Sequence, residues 1–278
     1  MPLTPSETTR LLGELGHRPK KKLGQNFLID GNIVDKSLAM AELPAGMPVV
    51  EIGPGLGTLT RKLLDAGHRV YAIEIDVTLY ENLKRSLVSF LRSEQLYLLK
   101  GDAVKTPLGP LPDELDQYSV VANLPYAVSS PWLESLLATN RLPLRMVLML
   151  QKEAVDRMWA QSGTKNYNAL SIFLRASFSS SKPHAVSRQC FFPVPAVDSV
   201  LARMDRLSKP FLFSPSDRAL IRRIFTQRRK QIGSIARQEE ESGRIKILSW
   251  LEKNGISPTL RPEQIEASKW MKLAKLRN

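Results

Sequence analysis

Asn123, Leu124, Pro125 and Tyr126 stand together where an apolar, β-branched run, SVVA, comes to its end. The Asn123 amide oxygen and the Leu124 carbonyl can both accept hydrogen bonds there. Pro125 stiffens the turn, and Tyr126 offers a flat π-face and a phenol. The stretch VANLPYAVSS holds no acidic, basic or imidazole side chain, so it lacks the general base that a hydroxyl substrate calls for. It suits the exocyclic amine of a nucleobase better. The lone pair of such an amine is delocalised into its ring, which makes it a poor nucleophile. Two acceptors on its N–H groups would draw the nitrogen toward tetrahedral geometry. A stacked tyrosine would hold the base and favour the positive charge that develops. A base handled this way must leave its stack to enter the pocket.

Glycines mark a second candidate site. In EIGPGLGTLT, Gly53, Gly55 and Gly57 let the backbone turn sharply between a strand and a helix. A dinucleotide fingerprint would place its third glycine at 58, where the chain has Thr58. Glu74, about 21 residues beyond Gly53, ends the next strand and can accept both hydroxyls of a ribose. Asp102, in GDA at the third strand end, can accept from an adenine amino group. Polar groups at successive strand ends are what a nucleoside lying across the carboxyl edge of a sheet requires. The acidic residue followed by G-x-G-x-G resembles the first motif of S-adenosylmethionine-dependent methyltransferases. That resemblance implies a methyl sulfonium facing Asn123, an electrophile strong enough for orientation to carry most of the catalysis. A tight turn without ligand, and an Asn-Pro turn over a core tyrosine, remain the plain structural alternatives.

The elements that would position these groups alternate along the chain. MPVVEIG, RVYAIEID, QLYLLKGD, SVVANLPY and RMVLMLQ read as strands, separated by helical patterns such as TLTRKLLDAG, VTLYENLKRSLVSFL and SSPWLESLLAT. ALSIFLRASF and the region around DSVLARM are expected to supply two final strands. Such alternation predicts an α/β fold, a Rossmann-like sheet with helices on both faces. Residues 1–17 are expected to be a flexible tail, 18–207 the sheet domain, and 208–278 a small, basic, all-helical domain. The joint is the Pro/Ser-rich SKPFLFSPSD, with Ser216 or Asp217 as the cap of the following helix.

The 278 residues carry a net charge of +13, most of it beyond residue 207. An excess of that size points to a polyanionic partner. One cysteine, Cys190, allows no internal disulfide, and three histidines without helical ligand spacing make a metal site unexpected. No apolar run is long enough for a membrane span and no leader is recognised at the N-terminus, so a cytoplasmic protein is expected.

Taken together, GQNFL at 24–28, EIGPGLGTLT, NLPY, LQKE at 150–153, the F-x-P-x-P-x-V-D-S pattern at 191–199 and QRRK at 227–230 resemble the ribosomal RNA adenine N6,N6-dimethyltransferase family. The nearest resemblance is to its bacterial small-subunit (16S) branch. It implies S-adenosylmethionine as cofactor, contacted by Asn26, Leu28, Gly53, Glu74, Asp102 and Asn123. It also implies an amine-binding turn of Asn123, Leu124 and Tyr126, with Phe191 on the other face of the target adenine. The expected partners are small-subunit rRNA and the pre-30S particle, met by a monomer. RNA contacts are expected from Lys20, Lys21 and Lys22 on one side, and from Arg222, Arg223, Arg228, Arg229 and Lys230 on the other. Ala127 stands where the family commonly has asparagine, and Phe192 where a smaller residue is usual; both are expected near the target base. Two alternatives stay open at this point. One is the antibiotic-resistance group that methylates an adenine of large-subunit (23S) rRNA. The other is a non-catalytic RNA-binding assembly factor on the same fold.

Overall fold

A computed structural model describes residues 3–125 and 127–276, with Lys21 in backbone only. The chain forms two compact units, Met1–Ala154 with Ser180–Arg206, and Val155–Ser179 with Leu207–Asn278. The joint expected at 207/208 lies one residue from one crossing between them. Of the other two crossings, one falls inside a helix, Lys152–Met158, and the other lies in the serine run at 179–181 ahead of Pro183.

The first unit is built on strands β1 (Val49–Ile52), β2 (Val70–Glu74), β3 (Leu96–Lys100), β4 (Ser119–Asn123), β5 (Arg145–Gln151), β6 (His184–Val186) and β7 (Ser199–Arg206). Their order is β3-β2-β1-β4-β5-β7, and β6 also pairs with β7. The first five run parallel, while β7 returns antiparallel along β5. β1 and β2 are buried along their whole lengths, as strands covered on both faces must be. The strand order reverses between β1 and β4, which opens a crevice at their carboxyl ends. Helices α1 (Pro5–Glu14), α2 (Gly31–Ala41), α3 (Thr58–Asp65), α4 (Val77–Ser86), α5 (Val88–Arg92) and α6 (Ser129–Ala138) complete this unit.

Where a loose tail was expected, α1 is a capped helix. Thr4 Oγ1 accepts the Glu7 N–H, and Glu7 accepts the Thr4 N–H at 2.7 Å, a reciprocal capping box. Leu12 then buries itself in a small cluster with Phe27 and Leu79, against which Leu56 and Phe192 pack.

ALSIFLRASF departs further from expectation. Residues Ala169–Ser177 are a helix, and only Phe178–Ser180 are extended. All but one of the nine helical residues are buried, so the helix has no solvent face, although Asn168, Ser171 and Arg175 recur at helical spacing. This helix belongs to the second unit with Pro215–Thr226, Ile232–Ala236, Glu241–Lys253 and Ala267–Lys275. Its core centres on Trp250 and Trp270, whose rings lie 4.9 Å apart. The cap of Pro215–Thr226 is Ser214, ahead of the two residues expected, because Pro215 fits the first helical position.

Candidate active site

Five of the elements around the crevice contribute to one pocket. The turn from β1 into α3 passes through Gly53, Gly55 and Gly57. Gly55 sits at φ +61°, and a Cβ there would meet the Phe27 ring at 3.2 Å, so only glycine brings this backbone under the 24–28 segment. Its N–H donates to Glu74 Oε2 at 3.0 Å, and the Asp76 N–H donates to Oε1 at 2.8 Å. Each oxygen keeps a lone pair for a further donor. Burial raises the Glu74 carboxyl above its ordinary range, with the Asp76 and Gly55 N–H groups opposing it. Asp102 folds one oxygen back to the Val104 N–H at 2.9 Å, which leaves the other as an acceptor.

Asn123 closes the ring. Its Nδ2 donates to the main-chain oxygen of Asn26 at 3.1 Å, which turns the amide so that Oδ1 serves as acceptor. Leu124 buries its side chain and Pro125 lines the wall with it. Tyr126 lies outside the described residues. Asn26, Leu28, Gly53, Glu74, Asp102, Asn123 and Leu124 thus line the same pocket.

Phe191 does not. It is 1% exposed and packs with Leu28, Val34 and Val186 in the main core. The reason is the pleat: Phe27–Leu28 pairs antiparallel with Phe191–Phe192, Leu28 opposite Phe191 and Phe27 opposite Phe192. Successive side chains leave opposite faces. Phe191 therefore braces Leu28 from the core, and Phe192, expected near the target base, packs instead against the cluster under α1. Ala127 is exposed.

Four wall or near-wall residues are given no role of their own in the sequence reading above. Ile75 is half exposed and lines the pocket, an apolar surface next to the Glu74 carboxylate. Gln25 lies beside Asn26, and Asp76 sits behind the wall. Glu51, the acidic start of the glycine motif, is 2% exposed, and its Oε2 has no hydrogen-bond partner. Burial pushes its carboxyl up to about 8, against the pull of the Thr60 hydroxyl, which stands nearby but outside bonding geometry. A buried carboxylate without a partner, at the wall of a cleft, is a place prepared for a cationic group. These residues fit a nucleoside that bears an ammonium: acceptors for ribose and adenine on one side, an acidic seat on the other.

The expected RNA contacts are sorted by the structure. Lys20 Nζ binds Asp76 Oδ2 at 2.7 Å while its side chain stays half exposed. Lys22 is exposed, and the Lys21 side chain lies outside the description. In the second unit, Arg223 pairs with Glu239 at 2.8 Å, and Arg228 donates to the Lys165 carbonyl at 2.6 Å and faces Glu263. Arg222 lies over the Phe173 ring at 5.8 Å. Arg229 and Lys230 are exposed, Lys230 reaching Gln227 and Gln238. Spacing alone cannot separate an arginine that staples loops from one that meets a phosphate. Among the described residues no group of three metal-ligating side chains occurs, and no helix is long and apolar enough to cross a membrane.

Comparison with known proteins places the chain among relatives. A ribosomal small-subunit methyltransferase A from Opitutus terrae is 48% identical over 98% of both chains, and one from Staphylococcus haemolyticus is 36% identical over 97% of this chain and 94% of its own. Among solved structures, a dimethyladenosine transferase from Plasmodium falciparum superposes with a TM-score of 0.70 at 27% identity, covering 88% of this chain and 94% of that one. The 23S rRNA methyltransferase ErmE shares the fold, with a TM-score of 0.59 at 23% identity over 90% of this chain and all of its own. The fold is thus that of the class I methyltransferases. The profile of one family, described as ribosomal RNA adenine dimethylase, matches residues 16–277, and the chain belongs to that family.

Proposed function

We propose that the protein transfers methyl groups from S-adenosylmethionine to N6 of two adjacent adenosines near the 3′ end of small-subunit (16S) rRNA, giving N6,N6-dimethyladenosine. The observation that carries the chemistry is the Asn123 amide, turned by the Asn26 carbonyl so that its oxygen can accept at the pocket wall. The small-subunit assignment is supported by the two relatives of that name, which align over nearly their whole lengths.

When bound, S-adenosylmethionine supplies an electrophilic methyl group. Glu74 accepts from its ribose hydroxyls, Asp102 accepts from its adenine amine, and the Gly53–Gly57 turn gives the backbone room to approach it. Glu51 neutralises its ammonium. Asn123 Oδ1 and the Leu124 carbonyl accept the two N6 hydrogens of the target adenine and aim its lone pair at the methyl. Tyr126 stacks on the flipped base. The proton departs to solvent from an ammonium that needs no dedicated base. After the first transfer one N–H remains, and one of the two acceptors holds it for the second. The protein works as a monomer in the cytoplasm on the pre-30S particle.

The test is methyl transfer to undermethylated small subunits, with mass spectrometry of the nucleoside and mapping of the modified position. Dimethyladenosine at two adjacent sites in the small subunit is expected. Transfer to large subunits alone, or normal particle binding without transfer, would refute the assignment.

RNA is held by phosphate contacts that include Lys22, Arg229 and Lys230. Reversing charge at Arg229 and Lys230 together is expected to weaken RNA binding and flatten its salt dependence by roughly two contacts' worth of counterion release. Cofactor affinity should stay as it was. Titrations at several salt concentrations check this, and superimposable curves for variant and parent would count against it.

A further inference from the structure

Asp76 is not part of the pocket wall, yet its residue is only 2% exposed. Oδ1 accepts the Thr78 and Leu79 N–H groups at 3.0 and 3.3 Å and caps α4. A cap needs one oxygen. The other, Oδ2, accepts Lys20 Nζ at 2.7 Å and Gln25 Nε2 at 3.3 Å. Gln25 is gripped from its far side as well: Oε1 accepts the Lys20 N–H at 2.8 Å and lies 3.1 Å from His17 Nε2. Burial alone would raise the Asp76 carboxyl. Hydrogen bonds from Lys20, the Leu79 N–H and Gln25 outweigh it and hold the group below the ordinary aspartate range.

These bonds join into a circuit around the pocket. Gly55 and Asp76 both donate to Glu74, Gln25 donates to Asp76, and the carbonyl of the next residue, Asn26, receives the Asn123 amide. The ends of β1, β2 and β4 are thereby tied to the 24–28 segment. The burial of Phe27 and Leu28 anchors the far end of that segment, and its Gly24–Asn26 end relies on these polar ties. Gly24 sits at φ +60°, and its sheet pairing is two residues long, far short of what holds a strand by itself. A buried carboxylate with charge-assisted bonds is the strongest tie in reach.

We propose that Asp76 is a positioning residue for methyl transfer. Through Gln25 and Lys20 it holds the 24–28 segment across the cofactor pocket, and through the Asn26 carbonyl it sets which way the Asn123 amide faces. The second half of this statement rests on Asn123 being the amine acceptor; the first half does not.

A residue that only caps α4 would behave differently, and Gln25→Ala tells the two apart because it leaves the cap and the Lys20 pair intact. In the free variant, backbone amides of residues 24–28 are expected to exchange with solvent at least about tenfold faster, while Tm barely moves. Calorimetric Kd for S-adenosylmethionine should rise about tenfold, and turnover at saturating cofactor should fall as well. Asp76→Asn retains a capping side chain and a neutral partner for Gln25 but loses the Lys20 ion pair, so an intermediate loss is expected. Parental exchange and parental Kd in Gln25→Ala, with Asp76→Ala lowering only Tm, would overturn the proposal. Should Asn123→Ala turn over normally while Gln25→Ala exchanges fast and binds cofactor weakly, the tie stands and only its reach to the amine is lost.

Discussion

Asn123→Ala is expected to cut methyl transfer by at least about two orders of magnitude, the size typical of removing one preorganised polar group at a reacting centre. The effect should appear at saturating cofactor, in excess of any change in cofactor affinity. An aryl amine gains nucleophilicity only when its nitrogen is drawn out of the ring plane, and two acceptors are needed to do that. Alanine leaves the Leu124 carbonyl alone with the task. It also leaves the Asn26 carbonyl without the donor now 3.1 Å away, so the 24–28 segment should loosen slightly. Asn123→Asp separates the two roles. It keeps an acceptor but sets a carboxylate oxygen against the Asn26 carbonyl, so its loss should come with weaker cofactor binding. Tyr126→Ala should cost a similar factor through lost stacking of the target base. Single-turnover rates on undermethylated small subunits measure all three, and near-parental rates in both alanine variants would contradict the mechanism.

Much of this site is legible in the primary structure because each group sits at the end of a strand that announces itself. Gly53, Glu74 and Asn123 close buried runs of β-branched and aliphatic residues, Asp102 follows a half-buried one, and parallel topology brings such ends to one edge. Elsewhere the one-dimensional signal fails for identifiable reasons. Ala169–Ser177 is buried on nearly every side, and its run ALSIFL reads as readily as a buried strand despite Ser171 and Arg175 at helical spacing. The basic residues at 20 and at 222–228 look alike in sequence, but Lys20, Arg223 and Arg228 are each paired within the fold, with Asp76, Glu239 and the Lys165 carbonyl, partners from 16 to 63 residues away. Phe191 sits in a Pro-rich aromatic loop, and only the register of a two-residue ribbon decides that its ring turns inward. The helix at 5–14 is the exception that could have been read, since T-P-S-E carries both halves of a capping box and a proline at the first helical position. Long-range partners, then, are what spacing does not encode.

Glu51 shows how far burial can pull function against stability. Its folded-state carboxyl titrates at about 8 because burial penalises the charge, whereas in the unfolded chain it titrates near 4.5. Between those values the folded state holds a proton that the unfolded state has released, so rising pH favours unfolding. The cost reaches on the order of 5 kcal/mol once the pH passes the upper value, less whatever the site recovers by relaxing. Glu51→Gln mimics the protonated form at every pH. Cofactor-free Glu51→Gln should therefore melt with the parent at pH 5 and above it at pH 8.5, by at least several degrees. Cofactor affinity should move the other way. A neutral amide cannot balance an ammonium, and the parent should bind S-adenosylmethionine more tightly as pH rises toward 8, while the variant binds weakly and without that dependence. Thermal melts at the two pH values, paired with calorimetric Kd at each, test both halves. Parallel melting of parent and variant across the range would mean that Glu51 is already ionised in the empty pocket. The carboxylate would then be solvated, and its missing partner could not be the cofactor's cation.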